Sequence, residues 1–163
     1  MPVTAFGGSG NDRIKTGGGN SVLVGGYGDD TLLGGSGLDM LIAGSGADVI
    51  GGGAADDILI AGFTSFDTNL AAINMIRAEW GSNRNYADRV SNLAGRATAG
   101  ATNANGAVVL TSIGSGRTVF DDDKVDTLTG DSGTDWFFAN LSGGAFLDLM
   151  TDMRDDEFLE ELF

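Results

Sequence analysis

The sequence has no cysteine and no histidine, and only one of its 163 residues is proline. Without cysteine the chain cannot form a disulfide, a thiolate nucleophile or a zinc–thiolate site. Without histidine it has no imidazole base and no imidazole metal ligand, so Ser-His-Asp and Cys-His catalysis are both excluded. No apolar run approaches the roughly 18 residues that span a bilayer, and residues 1–20 lack the basic and then apolar layout of a secretory signal peptide.

Basic residues are also scarce, with 9 Lys and Arg against 23 Asp and Glu and a formal net charge of -14. We expect no nucleic-acid partner, because affinity for nucleic acid depends on Lys and Arg that neutralise phosphates. So acidic a chain is expected to bind cations instead. The length is that of one domain and is sufficient to bury a core.

Glycine is abundant, and its 28 residues are largely periodic. Six nine-residue copies follow one another from residue 7 to residue 60: GGSGNDRIK, TGGGNSVLV, GGYGDDTLL, GGSGLDMLI, AGSGADVIG and GGAADDILI. The eighth position of each copy is aliphatic, and the sixth is Asp in every copy except the second, which has Ser21. The pattern returns at 121–129, DDDKVDTLT, and at 130–138, GDSGTDWFF.

Each copy combines a short strand with a glycine-rich turn. Three residues with a central aliphatic side chain form a strand whose middle residue points to one side. Glycine permits positive φ in the turn and brings backbone carbonyls around one concave place. Calcium takes six to eight oxygens at roughly 2.3–2.6 Å, which carbonyls and one Asp from each of two stacked turns can supply, whereas magnesium requires a tighter octahedron.

The candidate calcium ligands are the sixth-position carboxylates, turn glycines and three neighbouring polar residues. They are Asp12, Asp30, Asp39, Asp48, Asp57, Asp126, Asp135, Gly8, Gly10, Gly17, Gly19, Gly26, Gly28, Gly35, Gly37, Gly44, Gly46, Asn11, Asn20 and Asp29. A flexible linker or a metal-free solenoid is the alternative. A linker needs no aliphatic residue every nine positions, and a metal-free solenoid needs no Asp at a fixed offset. Two departures are notable: Ser21 predicts the weakest internal site, between copies 2 and 4, and Ala55 occupies a turn position that favours glycine.

The nonapeptide G-G-x-G-x-D-x-aliphatic-x resembles the repeat of the RTX, or hemolysin-type, calcium-binding family. The resemblance implies an all-β dominated fold, a right-handed parallel β-roll in which two copies make one coil. Calcium then lies between stacked turns, with copies 1, 3 and 5 on one edge and copies 2, 4 and 6 on the other. Pairing the copies gives about six Ca²⁺. Family members are typically exported by type I secretion machinery and fold on meeting external calcium, which implies a secreted, extracellular or cell-surface location.

The even-numbered copies present an apolar outer face, here called the even face. It consists of Val22, Val24, Met40, Ile42, Ile58 and Ile60, extended by Trp136 and Phe138 if the later copies keep alternating. An apolar surface of this size should be covered. The spacing in residues 67–80 predicts an amphipathic helix with Asp67 as its N-cap, and this helix is expected to cover the face with Leu70, Ile73 and Trp80. A second copy of the protein is the rival covering.

The remaining segments are predicted from weaker patterns. We expect a second helix at 82–93, an exposed loop at 95–106, and strands at 108–113 and 117–120. The acidic and apolar C-terminus is interpreted either as a capping helix, with Phe146, Leu149, Met150 and Met153 against the roll, or as an uncleaved type I secretion signal. The predicted divisions are 1–62 for the first repeats, 63–107 for the helical insertion and loop, 108–138 for strands and resumed repeats, and 139–163 for the cap.

The helices, loop and resumed repeat together resemble a C-terminal module of large secreted or surface-attached bacterial proteins, especially those of planctomycetes. The predicted function is a calcium-binding module that folds on calcium and supports the secretion and stability of an extracellular bacterial protein. The alternative is a structural or adhesive subunit that self-associates through the roll ends or the apolar face. We expect no enzyme, because the paired carboxylates that catalysis would need already belong to the repeat.

Overall fold

The computed structural model describes residues 1–97, 103–142 and 145–163, and within these ranges it is built mainly of short strands. The strands are β1 (Thr4–Ser9), β2 (Arg13–Lys15), β3 (Val22–Tyr27), β4 (Thr31–Ser36), β5 (Met40–Ser45), β6 (Val49–Ala54), β7 (Ile58–Ile60), β8 (Phe63–Thr64), β9 (Val119–Phe120), β10 (Thr127–Ser132), β11 (Trp136–Ala139), β12 (Leu149–Met150) and β13 (Phe158–Glu161). The helices are α1 (Leu70–Trp80) and α2 (Tyr86–Leu93). Neither has the length and apolar character needed to cross a membrane, as far as the described residues go.

Consecutive copies contribute strands to two opposite parallel sheets. One sheet has the order β1-β3-β5-β7-β11-β13 and contains the even-numbered copies; the other has the order β12-β10-β6-β4-β2 and contains the odd-numbered copies. Neighbouring strands pair in parallel, as when Leu23 lies opposite Leu41 and Leu41 opposite Leu59. The chain is therefore a parallel β-roll with two copies per coil, as the family resemblance implies.

The eighth-position side chains form a thin core between the two sheets. Those fully buried there are Leu23, Leu32, Leu41, Ile50, Leu59, Leu128 and Phe137. Because successive residues of a strand point to opposite faces, the seventh and ninth positions face outward. The resumed copies keep this alternation, since β10 pairs with β6 and β11 pairs with β7 directly across the insertion.

Both helices pack on the even face. Ile73, Ile76 and Trp80 of α1 and Val90 and Leu93 of α2 are buried in one cluster with its side chains. The predicted covering by α1 is confirmed, but Leu70 is wrong as a member of the contact because it is 52% exposed. At 100° per residue the buried stripe of α1 is centred about 90° around the helix from Leu70.

The helix starts also differ from those predicted. The N-cap of α1 is Asn69, whose Oδ1 accepts from the backbone N–H of Ala72 at 3.1 Å. Asp67 instead accepts from the N–H and the hydroxyl of Thr64, which closes the turn before the helix. The second helix begins at Tyr86 rather than near Ser82, because Asn85 provides its cap by accepting from the N–H of Asp88.

The segment after α2 is irregular where residues 108–113 were expected to form a strand. Its N–H groups bond locally or to α2, as when Leu110 donates to the carbonyl of Leu93 at 2.7 Å. Part of the predicted loop at 95–106 lies outside the described residues. Asn105 within it is fully buried, and its side chain donates to the carbonyl of Val108, so this residue is not exposed as expected. Of the strand expected at 117–120, only β9 forms, and it pairs antiparallel with β8.

The predicted C-terminal capping helix is wrong, because β12 and β13 extend the two sheets by one further strand each. The expected packing residues Phe146, Leu149 and Met153 are 48%, 56% and 39% exposed, and only Met150 packs against the core between the sheets. These strands directly follow Asp148 and Glu157, as each strand of the repeats directly follows a sixth-position residue, so the segment continues the repeat instead of forming a helix.

Candidate metal centres

Turns of the odd-numbered copies stack along one side of the roll, called the odd edge. The backbone N–H of Asp12 donates to Oδ1 of Asp30 at 2.7 Å, and that of Asp30 to Oδ1 of Asp48 at 2.6 Å. The N–H of Asp48 then donates to Oδ1 of Asp126 at 2.7 Å, across the insertion. Each hydrogen bond fixes one carboxylate oxygen, Oδ1, and the other oxygen, Oδ2, lies beside the backbone of the glycine-rich turn, as Oδ2 of Asp30 does at Gly25.

The even edge, formed by the turns of the even-numbered copies and of 130–138, repeats this arrangement. The N–H of Ser21 donates to Oδ1 of Asp39 at 2.6 Å. The N–H of Asp39 donates to Oδ1 of Asp57, and the N–H of Asp57 donates to Oδ1 of Asp135, both at 2.7 Å. The roll therefore carries two parallel ladders of carboxylates.

The second oxygen of every sixth-position Asp lacks a hydrogen-bond partner. The atoms are Oδ2 of Asp12, Asp30, Asp39, Asp48, Asp57, Asp126 and Asp135, all of them shielded from solvent. Burying a carboxylate oxygen without a donor is costly, and a buried charge is normally paired or bound to a metal. Seven equivalent orphaned oxygens in two rows thus point to cations between the turns.

Turn glycines leave room for such a cation. A Cβ on Gly7 would lie 2.5 Å from the carbonyl oxygen of Gly25 and 2.7 Å from Oδ2 of Asp12. At Gly34 a Cβ would lie 2.7 Å from Oδ2 of Asp39. No three acidic side chains converge within the part of the chain that the structure describes, so carbonyl oxygens have to complete the ligand set. Hard oxygen donors of both kinds fit calcium.

Burial strongly perturbs the ladder carboxyls. Loss of solvation, opposed mainly by the backbone N–H donor, raises the pKa of Asp39 and Asp48 to about 6 and that of Asp135 to about 7. The same cause raises the pKa of Asp57 and Asp126 to about 9. Without a cation, the fold therefore favours protons on these oxygens.

The other candidate ligands fall into two groups. Oδ1 of Asn11, Asn20 and Asp29 accepts a backbone N–H from the next turn at 3.0–3.1 Å, outside the carboxylate ladder. These hydrogen bonds account for the three side chains as stacking contacts. Nine of the ten candidate glycines have positive φ, and Gly17 is the exception. The alanine at residue 55 also has φ of 81°, so the predicted backbone strain there is confirmed.

Copy 2 is the least regular turn. Ser21 replaces the carboxylate, and its hydroxyl accepts from the N–H of Val3 and donates to the carbonyl of Gly19. The hydroxyl of Thr16 donates to the carbonyl of Gly34. A site between copies 2 and 4 therefore has one carboxylate fewer and a carbonyl that a hydroxyl already uses.

The insertion is anchored to the even edge at two places. Asp56 accepts from the guanidinium of Arg89, which also lies 4.5 Å from the ring of Trp80. The hydroxyl of Tyr86 donates to the carbonyl of Asp135 at 2.6 Å. Both anchors belong to α2, and α1 is attached to the same turn by Trp80, whose Nε1–H donates to the carbonyl of Asp56 at 2.9 Å.

Sequence reasoning missed one further ladder position on each edge. Asp126 donates its N–H to Oδ1 of Asp148 at 2.9 Å, and Asp135 donates to Oε1 of Glu157 at 3.4 Å. The available signal was an acidic residue followed directly by two apolar residues. It occurs as Asp148-Leu149-Met150 and as Glu157-Phe158-Leu159. The step to these residues is 22 rather than 18, which conceals them from a search at a nine-residue period.

The strand order defines a β-roll. Its two carboxylate ladders and the turn glycines beside them are suited to holding cations between the turns. Comparison with protein families agrees: the RTX calcium-binding nonapeptide repeat matches in four copies, within residues 6–41, 33–63 and 118–146. These ranges cover more than half of the chain, which belongs to that family. A search of curated proteins finds no match, and neither does a search of solved structures.

Proposed function

We propose that this calcium-binding module folds when calcium enters its two carboxylate ladders. The observation that carries the proposal is the set of seven sixth-position Asp oxygens that are buried without a donor. Oδ1 of each ligand except Asp12 is held by a backbone N–H, which orients Oδ2 toward the gap between turns. Calcium supplies the positive charge that these buried oxygens lack.

The ladders also support a count of ions. Four repeat turns stack on each edge, which leaves three gaps per edge and about six ions in total. Six divalent ions nearly cancel the net charge of -14. In their absence the acidic turns repel one another across each stack, because stacking brings like charges together.

This charge balance suits an exported protein. At low calcium the repelling turns keep the chain open, as transport through type I secretion machinery requires. At extracellular calcium the same turns close into the roll. Support comes from the family membership and from the acidic composition. The module then stabilises an extracellular or cell-surface bacterial protein.

A calcium titration of the intact chain, followed by circular dichroism, tests the proposal. We expect a cooperative gain of β-structure near 10⁻⁴–10⁻³ M calcium, the range of extracellular modules. Asp39→Asn removes one ladder charge and should raise the midpoint. Asp155→Asn makes the same charge change at an exposed position and should leave it in place. A chain that is fully folded in excess chelator and binds no calcium in native mass spectrometry contradicts the proposal.

The alternative function, self-association, has lost one of its two routes. The apolar even face is buried under α1 and α2 and is not available to another copy. Association through the roll ends stays a prediction, and light scattering during the same titration tests it.

A further inference from the structure

The guanidinium of Arg154 lies between the last two turns of the even edge, beside Asp135 of one turn and Glu157 of the next. Nη2 of Arg154 lies 2.6 Å from Oε1 of Glu157 and 3.7 Å from Oδ2 of Asp135. It also donates to the carbonyl oxygen of Gly133. One cationic group therefore contacts the sixth-position carboxylates of two successive turns and a turn carbonyl.

These are the kinds of oxygen that surround each gap of the regular repeats. In the earlier gaps of the described chain, Oδ2 of the ladder Asp has no protein donor. At the last turn of the even edge, both oxygens of Glu157 accept hydrogen bonds from Arg154, with Nε at 3.0 Å and the backbone N–H at 2.7 Å. Oδ2 of Asp135 still accepts no hydrogen bond, but at this gap it forms an ion pair with the guanidinium at 3.7 Å, and the carboxylate of Glu157 is fully satisfied.

The odd edge shows the same change at the same coil. Oδ2 of Asp148, the counterpart of the orphaned oxygens, accepts from the backbone N–H of Asn140 at 2.8 Å. Its Oδ1 accepts from the N–H of Asp126, so neither oxygen of this carboxylate is orphaned. Both edges therefore end in a turn whose carboxylate is satisfied by the protein itself.

We propose that Arg154 occupies the last cation position of the even edge, so that calcium fills the gaps before this turn and is excluded from it. The inference rests on the proposed calcium ladders. A guanidinium is always charged and matches a carboxylate through two parallel N–H donors. Tethered three residues from Glu157, it reaches the site when the coil forms and needs no ion from solution. The C-terminal coil thus closes the roll without a metal.

Native mass spectrometry at saturating calcium tests the proposal by counting bound ions. The folded wild-type chain should bind about six calcium ions, and Arg154→Gln should bind one more, because it frees the gap between Asp135 and Glu157. Arg154→Lys keeps a cation there and should return to the wild-type count. The control is Arg96→Gln, which removes the same charge from an ion pair with Glu160 on the terminal strand and should leave the count unchanged.

The possible failures are distinguishable. If wild type binds calcium and Arg154→Gln binds the same number of ions, Arg154 does not fill a cation position and the inference is overturned. If wild type binds no calcium, the proposed function itself fails. A second measurement needs no folded variant. In the folded chain, the NMR chemical shift of the Arg154 Nε–H should stay that of a hydrogen-bonded group as calcium rises from the folding midpoint to saturation, and a move to the shift of a free guanidinium over that range overturns the inference.

Discussion

Trp80 offers the sharpest test of how the insertion is joined to the roll. Its side chain is 1% exposed and lies against the even face, with its ring centroid 6.2 Å from that of Trp136. Its Nε1–H donates to the carbonyl of Asp56 at 2.9 Å, and the guanidinium of Arg89 stacks on its ring. Trp80→Ala therefore removes apolar contacts, one hydrogen bond and one cation–π contact together.

The expected loss can be estimated from these contacts. Truncating a buried tryptophan to alanine costs about 3–5 kcal/mol, and the lost hydrogen bond adds roughly 1 kcal/mol. We expect the free energy of unfolding in saturating calcium to fall by about 4–6 kcal/mol. Leu70→Ala, on the same helix but half exposed, should cost less than about 1 kcal/mol.

Urea unfolding of the three proteins, followed by circular dichroism, measures both losses. Similar losses for the two variants, or a loss below about 1 kcal/mol for Trp80→Ala, would refute the reasoning. In that case α1 would not be the element that covers the even face.

Three further predictions concern the turns. The calcium-free chain, open at pH 7, should gain β-structure in circular dichroism as the pH is lowered to 4. Burial raises the pKa of Asp39 to about 6, so the folded state binds more protons than the unfolded one. About 3 kcal/mol of stability is therefore lost as the pH rises through this range. A stability that increases with pH contradicts this prediction. Ser21→Asp should lower the calcium midpoint and Asp39→Ala should raise it, and equal midpoints in a dichroism titration would count against the ladder. Ala55→Gly should stabilise the protein by about 0.5–1 kcal/mol, because it relieves a left-handed backbone conformation; thermal unfolding that shows a loss contradicts the strain.

The nine-residue repeat, together with the family resemblance that it carries, was sufficient to predict most of the architecture. An aliphatic eighth position fixes which side chain enters the core, and the two copies per coil that the resemblance implies determine which strands are neighbours. The apolar character of Val22, Met40 and Ile42 on the even-numbered copies also predicted which face the insertion covers. These inferences succeed because each depends on a pattern that recurs many times.

The predictions that were wrong or missing concern positions where one local contact determines the structure. Asp67 and Asn69 are both good cap residues, and only the hydrogen bonds of Thr64 to Asp67 show which of them starts α1. At the C-terminus the step lengthens to 22 residues, so Asp148 and Glu157 lose their register with the repeat. A single arginine has no periodicity, and its place beside Glu157 follows only from the folded turn.

The hydrogen bond from Asp48 to Asp126 joins residues 78 positions apart, where its counterparts join residues 18 apart. Because the entropy of loop closure grows only with the logarithm of length, closing this longer loop costs about 1 kcal/mol more than closing an ordinary coil. The kinetic consequence is larger. The first six copies contact copies that are near in sequence, so they can fold one after another. The later coils form only through contacts between residues that are far apart in sequence, which raises the contact order. Folding should therefore proceed from the N-terminal coils and be limited by the docking of the insertion and the return of the chain at Asp126.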